Sequence, residues 1–313
     1  MFFHLLSVVL NDSPIDEELL IGCTESDWSE AIDLFQRQGV MAVAFEVIER
    51  VPKALRPLLP ILLEWYGNTE MVDQQMKDMR KVAYVNEMAR HGLRTYVMKG
   101  IGVSMYYPVT THRKCGDLDC FFLNDDDMSA YEAGNIVSES VGAHVERDYY
   151  KHSHIKYKGL TVENHQFCTS IRGGKDKKAF ERHFQSLLRL SDANQIEGSN
   201  LLIPLVNFTA LFFTAHSLQH FLFEKIHFRY VLDWIIFLRT DASLVDWNDS
   251  WNWCVRMKYT RFVLCLNWIC HNKLGMQINI PEPPEEFNVE QLLHRIYKSL
   301  IPQHYYKYNF LST

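Results

Sequence analysis

Between residues 97 and 127 the chain reads "VMKGIGVSMYYPVTTHRKCGDLDCFFLNDDD", and Lys99, Arg113, Asp117 and Asp119 are the side chains there best suited to chemistry. Cations and carboxylates gathered round a glycine turn suit a phosphate and its metal, and they also suit a solvated loop. The two aspartates narrow the choice. At positions i and i+2 of a strand they lie about 7 Å apart at Cα and project the same way, so both carboxylates can reach one ion. Magnesium takes hard oxygen ligands and keeps phosphate oxygens and water in its shell, which asks for carboxylates rather than thiolates. A lone D-x-D is a weak signal, so its surroundings decide.

The surrounding pattern supplies a strand, a glycine turn and a second strand. "TYVMKG" is short, β-branched and aromatic and stops at Gly100, which predicts a buried strand followed by a short helix over Ile101 to Tyr107, ended by Pro108. "DLDCFFL" predicts the next strand, with Asp117, Asp119, Phe121 and Leu123 on one face and Leu118, Cys120 and Phe122 on the other. Asp125 to Asp127 read as the N-cap and first turn of a following helix. "HSHIKYKGLTVENHQF" predicts a hairpin turning at Lys158-Gly159. Its register pairs Tyr157 with Leu160, Ile155 with Val162, His154 with Glu163 and His152 with His165, leaving a polar face that carries four of these residues with Lys156 and Thr161.

Helical spacing dominates elsewhere. "SDWSEAIDLFQRQGV" reads as a helix with Ser26 as N-cap and Glu30 nearby. A long amphipathic helix follows, broken near Gly67 and ending at Gly92. From Lys177 onward the chain returns to helices, including one begun at Pro204 and running to about Phe223 and another over Arg229 to Leu238. Asp233 in the latter needs a compensating charge, and Arg229 lies one turn before it. His216 and His220 share a helix face, but without a third ligand motif they are weak as a metal pair. "PEPPEE" at 281–286 reads as a connecting loop. The expected architecture is α+β: a small mixed sheet over residues 93–172 between helical regions at 1–92 and 173–313.

With these residues in view the chain resembles the nucleotidyltransferase superfamily that includes DNA polymerase β and the antibiotic nucleotidyltransferases, where strand, glycine turn and helix precede a D-x-D strand. It is most similar to the bacterial family of uncharacterised nucleotidyltransferases, through Lys99-Gly100, Tyr107-Pro108, Arg113 and Asp117-Leu118-Asp119. The likeness extends to "VENHQF", "AHSLQH" and "RYVLDW". The resemblance implies that Asp117, Asp119 and Glu163 bind Mg²⁺ or Mn²⁺ and that Glu163 also orients or deprotonates an incoming hydroxyl. It implies that Lys99 and the Gly100 amide hold the triphosphate, with Ser104, Arg113 and His165 as further nucleotide contacts. The implied reaction moves NMP from an NTP to an acceptor, a small molecule in preference to a macromolecule, and releases pyrophosphate. Where the superfamily has Gly-Ser, this chain has Lys99-Gly100. That departure supports an alternative expectation, a catalytically silent nucleotide-binding or regulatory module.

Bulk properties bound these expectations. A net charge of −6 over 313 residues opposes a broad nucleic-acid surface, although a small anion needs only local positive charge. Seven scattered cysteines with no C-x-x-C spacing suit reduced thiols in a cytoplasm and imply no zinc site. The apolar start "MFFHLLSVVLND" lacks a basic n-region and a cleavage site, so it does not read as a signal peptide. The run Leu201 to Phe223 is interrupted by Asn207, His216, Gln219 and His220, so it does not read as a membrane span.

Overall fold

The structure, a computed structural model, describes residues 1–80, 83–126, 128–189, 194–277, 279–283 and 287–300. The chain starts with helices α1 (Phe2–Asn11), α2 (Glu25–Arg37), α3 (Met41–Phe45), α4 (Leu59–Arg80) and α5 (Ala83–Arg90). Strand β1 (Arg94–Val97), the single-turn helix α6 (Ile101–Ser104), strand β2 (Leu118–Leu123) and helix α7 (Tyr131–Ser140) come next. Strands β3 (His144–Glu146), β4 (His152–Tyr157) and β5 (Leu160–His165) precede α8 (Lys175–Arg189), and β6 (Asn194–Gln195) and β7 (Leu201–Ile203) follow it. Helices α9 (Val206–Phe223), α10 (Phe228–Asp241), α11 (Trp247–Met257), α12 (Thr260–Leu274) and α13 (Glu290–Leu300) close the described chain.

The seven strands form one mixed sheet in the order β3-β4-β5-β2-β1-β7-β6, so the fold is α+β. The alternation in "DLDCFFL" divides its side chains between two cores. Phe121 and Leu123 join the larger one, built with Tyr96 of β1 and the N- and C-terminal helices. Leu118, Cys120 and Phe122 join the smaller one, with residues of α5 and the hairpin strands. Asp119 has the parity of Phe121, so it faces the side of the sheet covered by the C-terminal helices.

The hairpin has the expected register: Tyr157 pairs with Leu160, His154 with Glu163 and His152 with His165. Lys158 and Gly159 have φ of 47° and 83°, the pair of positive values a two-residue type I′ turn requires. A buried polar network on the opposite face holds that register. Asn164 donates to the Tyr131 carbonyl and to Asn135 Oδ1, each at 2.8 Å, and Ser153 donates to the same Asn135 oxygen. A one-residue slip of β5 would put Glu163 into this network and Asn164 among the carboxylates.

Several local expectations are corrected. The N-cap of α2 is Thr24, in a capping box with Asp27, and not Ser26; a threonine three residues before a carboxylate satisfies two exposed backbone N–H groups at once. Helix α4 runs through Gly67 unbroken. The helix expected over Ile101 to Tyr107 stops at Ser104. Asp125 and Asp126 do not cap α7, which starts at Tyr131; they lie in a turn where Asn124 Oδ1 accepts from the N–H groups of Asp126 and Met128. Asp127 and residues 284–286 and 301–313 lie outside the described residues. The short strands β3, β6 and β7 are too brief for a periodic signal. Through β7, parallel to β1, the sheet takes in chain from beyond residue 172.

Gly134 in α7 packs on this sheet. A Cβ there would lie 2.4 and 2.8 Å from ring atoms of Phe122, which is fully buried. Alanine is the better helix former by about 1 kcal/mol, but overpacking an immobile ring costs about 1–3 kcal/mol. Gly134→Ala is therefore expected to be net destabilising by up to about 2 kcal/mol in denaturant unfolding. Unchanged or increased stability would show that Phe122 is free to move.

Candidate active site

Strand β2 carries Asp119 in Cα register with Glu163 on parallel neighbour β5, which places two carboxylates side by side on one face. His165, two residues on, shares that face. Its Nε2 lies 3.2 Å from Asp119 Oδ1 and 3.3 Å from Glu163 Oε2. Its Nδ1 lies 3.2 Å from the Phe167 carbonyl oxygen. Both ring nitrogens thus face acceptors, an arrangement only the imidazolium satisfies. Burial alone would lower the His165 pKa, but the hydrogen bonds to Asp119 and Glu163 carry it above its usual value.

Lys99 approaches Asp119 from β1. The Met98 N–H donates to the Asp119 carbonyl at 3.0 Å, extending the β1–β2 ladder and bringing Lys99 Nζ to 3.1 Å from Asp119 Oδ1. Gly100 turns the chain there with φ of 65°, and a Cβ would meet Cys115 Sγ at 2.7 Å, so both the turn and the close approach ask for glycine. Burial would push the Asp119 pKa up, but Lys99 and then His165 hold it well below the usual carboxylate range. The Lys99 pKa is raised despite its burial, by Asp119 and then Asp117.

Asp119 uses its two oxygens differently. Oδ1 faces both cations, while Oδ2 is buried with no hydrogen-bond partner among the described residues. An orphaned carboxylate oxygen costs free energy unless something fills the place. Ligand atoms of Asp119, Glu163 and His165 lie within 4.8 Å of one another, as do those of His152, His154 and Glu163. Asp117 stands just outside these groups, half-buried at the entrance to β2. Burial and next the Asp119 charge raise its pKa, outweighing the opposing pull of Lys99. The donor set fits a divalent cation.

A model of the uncharacterised nucleotidyltransferase family matches residues 24–275. The chain belongs to that family. Nothing among the curated proteins or the solved structures matches it. The family match spans the α2–α12 region and the whole sheet, so the acidic cluster sits inside the region the family shares.

Not every residue singled out in the sequence reaches the cluster. Arg113 is buried and forks onto Asp233 of α10, with Nε 3.0 Å from Oδ1 and Nη2 2.7 Å from Oδ2. The Tyr107 hydroxyl donates to the same Oδ1 at 2.6 Å. The Tyr-Pro and Arg elements of the signature thus brace the 98–117 loop to α10. Arg229 does not compensate Asp233; it donates to the Lys114 carbonyl at 3.0 Å. Ser104 is fully buried and donates to the Ile101 carbonyl, which turns its hydroxyl back into α6.

Conversely, the fold brings towards the site Lys151 and His216, which sequence reasoning did not place there. Lys151, just before β4, is 4% exposed; burial lowers its pKa, opposed by the Asp119 charge and reinforced by Lys99. His216 of α9 is held well below its usual pKa, first by burial and next by Lys99. His152 and His154 approach Glu163 at 3.7 and 3.5 Å. Only the parity of the hairpin face signalled these last two.

His152 gives the site an acid-sensitive element. Burial, and next the His165 charge, lower its pKa to about 4, whereas in the unfolded chain it titrates near 6.5. The sign follows: above pH 6.5 both states hold it neutral, and as pH falls towards 4 the unfolded state alone takes the proton, so folding stability is lost across that window. In EDTA, His152→Gln is expected to lose less melting temperature than wild type between pH 7 and pH 4.5. Parallel curves would refute the assignment.

Proposed function

We propose that this protein is a metal-dependent nucleotidyltransferase that moves NMP from an NTP to a hydroxyl-bearing acceptor and releases pyrophosphate. The observation carrying this reading is the pairing of Asp119, with its orphaned buried oxygen, against Glu163 on the neighbouring strand, with Asp117 at the entrance. Asp117, Asp119 and Glu163 would hold Mg²⁺ or Mn²⁺. When bound, such an ion polarises the α-phosphate and neutralises charge on the leaving oxygen.

The chain's own residues supply the rest. Lys99, fixed by the Gly100 turn, places a permanent positive charge where the polyphosphate arrives. Glu163 is 19% exposed and takes the proton from the acceptor hydroxyl as its oxygen bonds to the α-phosphorus and the bond to pyrophosphate breaks. His165 keeps the Glu163 and Asp119 carboxylates from repelling each other before substrate binds. Arg113 and Ser104 act through the fold and touch no phosphate in this reading.

The test is pyrophosphate release from each of the four NTPs with Mg²⁺ or Mn²⁺ and a mixed acceptor pool, alongside thermal melts with the same NTPs. Absence of both release and stabilisation would overturn the proposal. NTP stabilisation without release favours the second reading, a nucleotide-binding or regulatory module. The observation on its side is that Asp119 and Glu163 are already matched by Lys99 and His165.

A further inference from the structure

Beside the hairpin lies a cavity of about 870 Å³, within the size range of small-molecule sites. Its floor is apolar, formed by Leu218 of α9, Met257 and Phe262. Four cations line it, namely Arg172, Lys177, Lys258 and Arg261, against a single acid among the lining residues, Glu224. That acid is already engaged, its Oε2 lying 2.6 Å from His220 Nδ1. Gathering four like charges in one concavity of a chain whose net charge is −6 raises their mutual repulsion, which a bound anion relieves. The set is too small for a nucleic-acid backbone, which needs a long track of phosphate contacts.

The cavity has a defined relation to the acidic cluster. Tyr149 and Tyr150 line it, and the Arg172 guanidinium stacks 4.0 Å over the Tyr150 ring. The Tyr149 ring packs 4.8 Å from His152, which reaches Glu163. In the sheet order, the hairpin lies on one side of β2 and Lys99, at the end of β1, on the other. Tyr149 and His152 thus bridge the cavity to Glu163 on the hairpin side of β2, while Lys99 stands on the β1 side.

We propose that this cavity is the acceptor site and that the acceptor is a small organic anion, an apolar or aromatic body bearing a phosphate or carboxylate. This rests on the nucleotidyl-transfer reading for the word acceptor, although the binding claim stands without it. The anionic group meets the Arg172 and Arg261 side of the cavity, the apolar body lies on Leu218 and Phe262, and the nucleophilic oxygen points towards Glu163. That oxygen bonds to the α-phosphorus, its proton passes to Glu163, and pyrophosphate leaves with the electron pair of the broken P–O bond.

The test uses 1-naphthyl phosphate as probe, with uncharged 1-naphthol and inorganic phosphate as controls, titrated calorimetrically into the full chain. Naphthyl phosphate is expected to bind more tightly than either control. Arg172→Ala/Arg261→Ala, both at exposed positions, is expected to weaken it at least about tenfold, with melting temperature unchanged; Lys177→Ala/Lys258→Ala provides a second, independent variant. Affinity in Asp117→Asn is expected to equal wild type, with no competition from ATP and Mg²⁺. Equal affinity for naphthol, no loss in either double variant, or displacement by ATP and Mg²⁺ would each overturn the assignment. Because no turnover is needed, a chain that releases no pyrophosphate yet binds the probe as described removes the nucleotidyl-transfer reading and leaves the anion site standing.

Discussion

Replacing both Asp117 and Asp119 by asparagine is expected to slow pyrophosphate release at least about a thousandfold, the loss of roughly 4 kcal/mol of transition-state stabilisation. An amide keeps the shape of the side chain but removes the negative charge that draws a divalent ion, and it does so where charge develops on the α-phosphate. The single variant Asp117→Asn separates chemistry from folding. Asp117 is half-buried, and its pKa is raised by burial and by Asp119, so its neutral isostere is not expected to destabilise the fold. Asp119 is different: its loss leaves Lys99 buried beside fewer carboxylates, so the double variant needs a melting curve alongside the rate. Wild-type rates in a folded Asp117→Asn/Asp119→Asn protein would remove these residues from the mechanism.

The second large effect belongs to stability. Arg113→Ala is expected to cost about 3–5 kcal/mol, because it strands the Asp233 carboxylate in a buried position with the Tyr107 hydroxyl as its one remaining side-chain partner among the described residues. In a chain of this size that corresponds to a fall of roughly 5–8 °C in melting temperature. The pair as such is not worth this much: Arg113→Met/Asp233→Leu is expected to recover most of the loss, since two apolar groups of similar volume avoid the desolvation of both charges. NTP affinity in the refolded double variant should stay near wild type if Arg113 acts through the fold. A large selective loss of NTP binding at unchanged stability would instead put the guanidinium on the phosphates.

The hairpin register was legible because a two-residue turn with glycine sets the pairing of every residue behind it, and that pairing alone predicts that Glu163 and the histidines share a face. Asp119 was legible from strand parity. What no local pattern carries is the packing of α9 and α10 against the sheet, which brings His216 near Lys99 and takes Arg113 away to Asp233. Lys151 escaped notice for the same reason: its burial depends on both the cluster and the chain that follows β5. The strands β3, β6 and β7, of two or three residues each, are defined by their neighbours in the sheet more than by their own composition. No helix among the described residues is long and apolar enough to cross a membrane, consistent with polar residues interrupting the most apolar run.

Strand β7 has a consequence for how the molecule is divided. Since Thr95 and Tyr96 lie between Phe122 and Phe121 on one side and Leu201 and Leu202 on the other, the strand leading to Lys99 is flanked by pieces of polypeptide synthesised about eighty residues apart. An isolated 93–172 fragment would present β1 with one bare backbone edge and lay the Tyr96 and Phe121 rings open to water, a template for self-association in place of an enzyme core.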